Sequence, residues 1–319
     1  MAAETMQDGT GRQEAGQDRR GASDPRWLAA GAAGLVAATL ALWSLRGLPG
    51  GAISLWVVPL PLFMAGIGFG TAAIFAALLL AAAVVLLAGS TLAAGLFLAA
   101  LGVPAVALYL AAPGRPVPAL GFALTLLGLL PAVGVAAAAL MLADEPGGLE
   151  GTMRIAVEHA LTRMGLPLSD GMVAELVRVK PAAIGFWVAM ALLLNAAIAS
   201  TLLARAGIIP ATPAWREARL PSWYLVLPAL ALGLWLAADP GTDAVELSLL
   251  LTLLVPVFLH GLAGFHRATS ALRGRPVVLG GAYAALLVIS VPVALAVIGY
   301  GLYDILNGTR GRRSAPPQS

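Results

Sequence analysis

The chain has no cysteine among its 319 residues and only three histidines. It therefore cannot form disulfides, thiolate nucleophiles, iron–sulfur clusters or cysteine-ligated zinc sites. Charged residues make up 11% of the chain, against about 25% in soluble domains. Lys180 is the single lysine, and the arginines are scattered, so the clustered basic surface that nucleic-acid binding requires is missing. We predict no cofactor, no metal ion and no nucleic-acid partner.

Long apolar runs take the place of the missing charge. Hydrophobic residues account for 60% of the sequence, and residues 47–114 contain no charged side chain and no histidine. A membrane-spanning helix needs roughly 20 apolar residues, so this run alone is long enough for about three spans. The sequence predicts an all-α polytopic bundle of about eight to nine spans, in contact with the lipid bilayer of a bacterial inner (plasma) membrane.

Turn residues and charged loops divide the apolar sequence into nine predicted spans. The second of them carries Pro59 and Pro61, so it is either a broken helix or a partly inserted one. The predicted spans cover residues 27–45, 53–66, 69–88, 92–112, 117–143, 181–204, 221–237, 246–266 and 276–303.

Two polar tails are predicted to flank a membrane domain of residues 27–306. Residues 1–26 and 307–319 lack hydrophobic periodicity, so we expect both tails to be disordered. Where the first tail meets the membrane domain, Asp24 or Ser23 is expected to cap the first helix.

Residues 144–180 interrupt the apolar pattern with six acids, four bases and one histidine. Apolar residues recur at helical spacing on both sides of Gly165, which predicts an amphipathic helical hairpin lying on the membrane interface. The positive residues divide eleven to eight in favour of a cytoplasmic N-terminus. With that orientation the hairpin and the acidic loop 239–246 lie outside, and the basic loop 267–275 is cytoplasmic.

Polar side chains inside the spans are few, and three of them are candidate ligand-binding residues. Asn195 lies in the middle of a span, where its amide must bind either a neighbouring helix or a ligand. His260 is either a packed side chain or a proton relay. It lies six residues before His266, about 240° away around a helix, so the two do not form a metal site. Asp304 ends the last span, as an interfacial residue or an ion-pair partner.

Small residues mark faces where helices can approach closely. Ala29, Ala33 and Ala37 repeat every four residues on the first span, and Gly66 and Gly70 form a GxxxG pair. The alanine row could receive a partner membrane protein. The glycine pair favours close helix packing or a tight turn between spans.

Several short motifs together resemble a known family. They are Pro59-Leu-Pro61 before a glycine-rich turn, the amphipathic stretch ending at Lys180-Pro181, Arg205, Arg219-Leu-Pro221-Ser-Trp223, His260-Gly-Leu-Ala263 and Gly301-Leu-Tyr-Asp304. Across residues 27–306 the chain resembles the YybS-like family of bacterial polytopic membrane proteins, a domain of unknown function. That family is distantly similar to the S components of energy-coupling-factor transporters. The resemblance implies that Ala29, Ala33 and Ala37 would match the face on which S components dock their partner, and it supplies no catalytic residue.

Two functions remain open from the sequence. A transporter-like protein with a small molecule bound in the bundle would explain the proline-broken spans and the sparse polar residues. A non-catalytic scaffold for envelope or cell-division assembly would explain why the spans contain so few polar groups. An enzyme is not predicted, because no nucleophile–base pair is apparent.

Overall fold

The computed structural model describes residues 24–112, 120–167 and 169–313, and all regular structure within these ranges is helical. Eight helical stretches are long and apolar enough to cross a membrane, which confirms the predicted polytopic bundle. They are Pro25–Leu45 (α1), Gly51–Phe69 (α2, Gly51–Val57, and α3, Pro59–Phe69), Thr71–Ala88 (α4), Thr91–Leu110 (α5, Thr91–Phe97, the π-helical turn Leu98–Gly102, and α6, Val103–Leu110), Gly121–Met141 (α7), Asp170–Arg205 (α9), Ala244–Ala268 (α11) and Ser290–Asn307.

The other helices are shorter or more polar. They are Gly148–Arg163 (α8), Val226–Ala237 (α10) and Arg275–Val288 (α12); the span Ser290–Asn307 belongs to a longer helix, Ser290–Arg313 (α13). The described residues form two compact units. Among the described residues, the first unit contains 24–110 and 194–212, and the second contains the described parts of 111–193 and of 213–313.

The small-residue face of α1 packs inside the first unit. Ala33 and Ala37 are buried and Ala29 is half-buried. A Cβ added at the neighbouring Gly34 would lie 2.7 Å from the carbonyl oxygen of Ala77 on α4, so only glycine allows this approach. The face that could have received another protein is therefore occupied by a helix of the same chain.

Gly66 and Gly70 have different roles in the same unit. A Cβ at Gly66 would lie 3.0 Å from both Ile74 and Tyr109, so this glycine permits close helix packing. Gly70 has a φ of +93° and donates its N–H to the Gly66 carbonyl at 2.9 Å, which makes the turn between α3 and α4.

Helix α11 is the centre of the second unit, where it packs against α7, α10 and α13. Close approach again depends on glycine. Gly261 of α11 faces Val297 of α13, and Gly128 of α7 faces Pro256 of α11 and Tyr224. The polar side chains described below surround this helix.

Two predicted spans near prolines have the wrong ends. Pro181 was expected to begin a span, but it lies inside α9, which joins the second arm of the hairpin to the sixth span. Proline's fixed φ is compatible with a helix, and one lost hydrogen bond does not end this one. The predicted span 276–303 is instead two helices, because the ring of Pro292 would clash with the carbonyl of Val288, where α12 ends.

The ends of the membrane domain also differ from expectation. Asp24 caps α1 by accepting a hydrogen bond from the N–H of Arg26 at 3.0 Å, as predicted, so residues 25 and 26 are helical and not part of a disordered tail. Residues 307–313, also predicted to be disordered, continue α13 to Arg313. Once a helix is nucleated, each further residue adds a hydrogen bond at little cost. The predicted tails 1–23 and 314–319 lie outside the described residues.

Candidate functional site

An ion pair with a buried carboxylate and a half-buried guanidinium lies at the N-terminal end of α11. The guanidinium of Arg178 donates two hydrogen bonds to Asp243, from Nε to Oδ1 at 2.7 Å and from an Nη atom to Oδ2 at 2.6 Å. Trp235 Nε1 also donates to Oδ2, at 2.7 Å. The Asp243 side chain is only 5% exposed, and these donors, the Arg178 hydrogen bonds first, hold its pKa below the ordinary value. Asp243 is therefore a carboxylate at neutral pH.

A cavity of about 380 Å³ opens beside this pair. Four elements form its walls: α8, the first turns of α9, the end of α10, and the loop between α10 and α11. Glu150 lies on its α8 wall and accepts a hydrogen bond from the N–H of Ala244 at 3.2 Å. The other charged and aromatic lining residues are Arg154, Glu175, Arg178, Trp235 and Asp243.

These contacts place the hairpin and the acidic loop at the same end of α11. Arg178 belongs to the second arm of the hairpin and Asp243 to the loop 239–246. The structure thus supports the predicted common side of these two segments. Sequence patterns did not mark Arg178, Asp243, Glu150 or Trp235 as site residues. The one pattern that bears on Arg178 is the apolar face of its helix: Val173 and Val177 are buried against the protein, and Arg178 lies next to that face.

The second polar cluster lies near the other end of α11. His260 is 3% exposed, and its Nδ1 accepts the N–H of Leu220 at 3.2 Å. Its Nε2 lies 3.0 Å from Oδ2 of Asp304. Because Nδ1 is an acceptor, the ring proton is on Nε2, which donates to the Asp304 carboxylate. The structure thus brings together His260 and Asp304, which the sequence analysis identified separately.

Arg267 completes this cluster. It donates to Asp304 Oδ2 at 2.8 Å and to the backbone carbonyl of Arg216 at 2.7 Å. Its side chain is 24% exposed and that of Asp304 37%, so this pair reaches toward the surface while His260 does not. The two α11 side chains therefore hold two backbone groups of one chain segment, the carbonyl of Arg216 and the N–H of Leu220.

That segment, residues 213–225, has no α-helix and is named here the irregular segment. Its contacts along α11 occur in reverse order. Arg216 meets Arg267, Leu220 meets His260, and the Tyr224 hydroxyl donates to the carbonyl of Leu253 at 2.9 Å. The segment therefore runs antiparallel to the C-terminal half of α11.

Helix α10 continues the same path to Trp235, which meets Asp243 at the start of α11. The 3₁₀ turn Ser222–Leu225 and the 12 residues of α10 form one apolar helical stretch, Ser222–Ala237, which agrees with the predicted seventh span, 221–237. At about 1.5–2 Å per residue this stretch is about 26 Å long, slightly shorter than a hydrocarbon core of about 30 Å. The backbone groups of Arg216 and Leu220, which precede this stretch, are bound by the side chains of Arg267 and His260.

Asn195 lies in the first unit. It is 3% exposed, and its side-chain amide donates to the backbone carbonyl of Trp56. Trp56 is the second-to-last residue of α2, directly before the break at Val58 and Pro59. The contact gives Asn195 a structural partner at a helix break.

Among the described residues there is no group of three or more metal-binding side chains. His266 contacts Tyr283, with Nε2 2.7 Å from the hydroxyl, and takes no part in the His260 cluster. No protein-family model, no curated protein and no solved structure matches this chain.

Proposed function

We propose that this membrane protein is transporter-like and binds a small polar molecule in the cavity beside Asp243. The observation that carries the proposal is the cavity itself, about 380 Å³ in volume and lined by both carboxylates and guanidinium groups. Ligand sites in proteins are commonly about 300–1,000 Å³ with a few placed polar groups. The broken span of α2 and α3 adds support, because transporters often use discontinuous helices.

The lining indicates the charge of the ligand. Glu150, Glu175 and Asp243 supply three negative charges, and Arg154 and Arg178 supply two positive ones. The surplus negative charge and the ring of Trp235 favour a small cation or a zwitterion with a cationic end. Both Asp243 oxygens are already bonded, so Glu150 and Glu175 are the carboxylates that remain able to meet a ligand.

The proposal includes the bacterial plasma membrane, a cytoplasmic N-terminus and membership of the YybS-like family. The scaffold alternative loses its best docking face, because the row of Ala29, Ala33 and Ala37 is packed against α4. A partner protein using that row would have to displace a helix of the chain.

The experiment is thermal unfolding of the purified protein in mild detergent with choline, glycine betaine or succinate. A ligand at 100 times its Kd should stabilise the folded state by about 2.7 kcal/mol. Ala174→Leu fills the cavity from its α9 wall and should abolish the shift. Ala156→Leu, on an exposed position of α8 outside the cavity, is the matched control and should keep it. A ligand-induced rise in melting temperature that survives in Ala174→Leu would contradict the proposed site. So would the absence of any rise with both choline and glycine betaine.

A further inference from the structure

Among the histidines of the described membrane helices, only His260 has both ring nitrogens bonded to groups of other elements. Nδ1 accepts the Leu220 N–H of the irregular segment, and Nε2 donates to Asp304 of α13. The backbone N–H can only donate, so the contact requires a free electron pair on Nδ1. The structure therefore fixes histidine in its neutral form, with the proton on Nε2.

A second proton has only one place to go on this ring. Protonation of Nδ1 would point its N–H at the N–H of Leu220, and two donors 3.2 Å apart cannot form a hydrogen bond. Leu220 is buried, so its N–H would lose its acceptor without water to replace it. Leaving a buried donor unsatisfied favours movement of the segment or of the ring.

Two of the three neighbouring charges act in the same direction, whereas the Asp304 carboxylate attracts a protonated ring. The groups facing His260 are Asp304 from α13, Arg267 from its own helix and Arg219 from the irregular segment. Their formal charges sum to one positive charge while histidine is neutral. A protonated ring would raise that to two, with Arg219 on the segment that the neutral ring retains. Repulsion between the ring and Arg219 would then separate the segment from α11.

We infer that His260 is a proton-binding site, and that binding the proton releases the irregular segment from α11. Asp304 and Arg267 are positioning residues, because Asp304 orients the ring and Arg267 holds both Asp304 and the Arg216 carbonyl. The protein is thereby a proton-responsive device, whose moving part is the irregular segment. This inference goes beyond the proposed function and does not depend on it, because proton occupancy can be measured with no ligand in the cavity.

The first test reads the ring directly. The chain has three histidines, so the NMR spectrum of protein labelled with ¹⁵N only in histidine is simple to assign. The signal that is lost in His260→Gln belongs to His260. Near neutral pH we expect an unprotonated Nδ1 and a protonated Nε2. On acidification both nitrogens should become protonated. A neutral ring carrying its proton on Nδ1, or a ring that never takes up a second proton, would overturn the inference.

The second test measures the segment. The chain has no native cysteine, so Glu217→Cys and Ile184→Cys place two spin labels, on the irregular segment and on α9, at exposed positions of one unit. Electron–electron distance measurement should give one distance near neutral pH and a second, longer one on acidification. For a single proton the ratio of the two populations should change about tenfold per pH unit.

Variants assign the response to His260. Glutamine can accept from Leu220 and donate to Asp304 but cannot titrate, so His260→Gln should keep the short distance at every pH. His260→Leu offers no acceptor and should show the long distance at every pH. His159→Gln, at an exposed position of α8, is the control and should titrate like the wild type. If His260→Gln shows the same pH response as the wild type, the proton acts elsewhere and the inference is wrong. If that variant does not fold, the wild type alone tests the inference: the ring should take up its second proton over the same pH range in which the longer distance appears, and two different pH ranges would contradict it.

Discussion

The two ends of helix α11 hold their neighbours in different ways. At the N-terminal end, Asp243 and Arg178 are both charged and share two hydrogen bonds beside an open cavity. Toward the C-terminal end, a neutral imidazole is buried and accepts from the backbone N–H of Leu220. Both ends join α11 to a segment distant in sequence, but only the joint to the hairpin is an ion pair; the joint to the irregular segment uses backbone groups.

The difference follows from what each neighbour offers. The hairpin presents a side chain, Arg178, whose planar guanidinium matches a carboxylate in geometry and charge. The irregular segment presents backbone groups, which need a single acceptor and a single donor. Ion pairs persist over the whole physiological pH range, whereas a joint made by a histidine nitrogen depends on its proton. One end of α11 is therefore a permanent joint and the other can be released.

The largest expected effect concerns the sides of the membrane on which these ends lie. Asp239→Cys and His159→Cys should react with a membrane-impermeant maleimide in intact cells, and Ser270→Cys should not. All three positions are exposed, so the outcome depends on sidedness. All three should react once detergent has opened the cells. Reaction at position 270 but not at 239 in intact cells would place the cavity in the cytoplasm and reverse the predicted orientation.

The next largest effect should follow from removing the Asp243 carboxylate. Asp243→Ala leaves the guanidinium of Arg178, which is 34% exposed, and the Trp235 N–H without their acceptor, and a loss of this kind costs about 1–3 kcal/mol. Thermal unfolding in detergent would measure the loss. Asp239→Ala removes an exposed carboxylate from the same loop, and it should change stability by less than about 0.5 kcal/mol. Equal losses in the two variants would show that the ion pair contributes nothing.

The pH dependence of that loss sharpens the contrast between the two ends. Hydrogen bonds from Arg178, and then from Trp235, lower the pKa of Asp243, so its contribution is complete above the ordinary carboxyl value and is lost as pH falls through the lowered one. The difference in melting temperature between the wild type and Asp243→Asn should be constant from pH 5 to pH 8. It should narrow only below about pH 4. A difference that already narrows between pH 7 and pH 5 would mean that the pair resembles the histidine joint.

The sequence predicted the helices better than it predicted the contacts between them. Apolar runs and the Asp24 cap are local signals, and they located eight membrane-spanning stretches. Proline was ambiguous, because Pro181 continues a helix and Pro292 follows a break, and neighbouring elements decide which. The site contacts join residues far apart in the chain, 65 positions for Arg178 and Asp243 and 44 for His260 and Asp304. A single polar residue in an apolar run does not reveal which distant group it will meet.

The smallest expected effect is in the first unit, where Asn195 offers a polar contact that is neither an ion pair nor titratable. Its amide donates to the carbonyl of Trp56, and side-chain hydrogen bonds in membrane bundles average about 0.6 kcal/mol. Asn195→Leu should therefore remain folded and membrane-inserted, with a loss close to that value in thermal unfolding. Thr201→Ala, which removes a hydroxyl bonded to its own helix at Ala197, is the matched control on α9 and should lose less. Asn195→Leu could instead keep full stability and abolish ligand-induced stabilisation or growth complementation. The binding site would then include Asn195, and the assignment of ligand binding to the Asp243 cavity alone would be wrong.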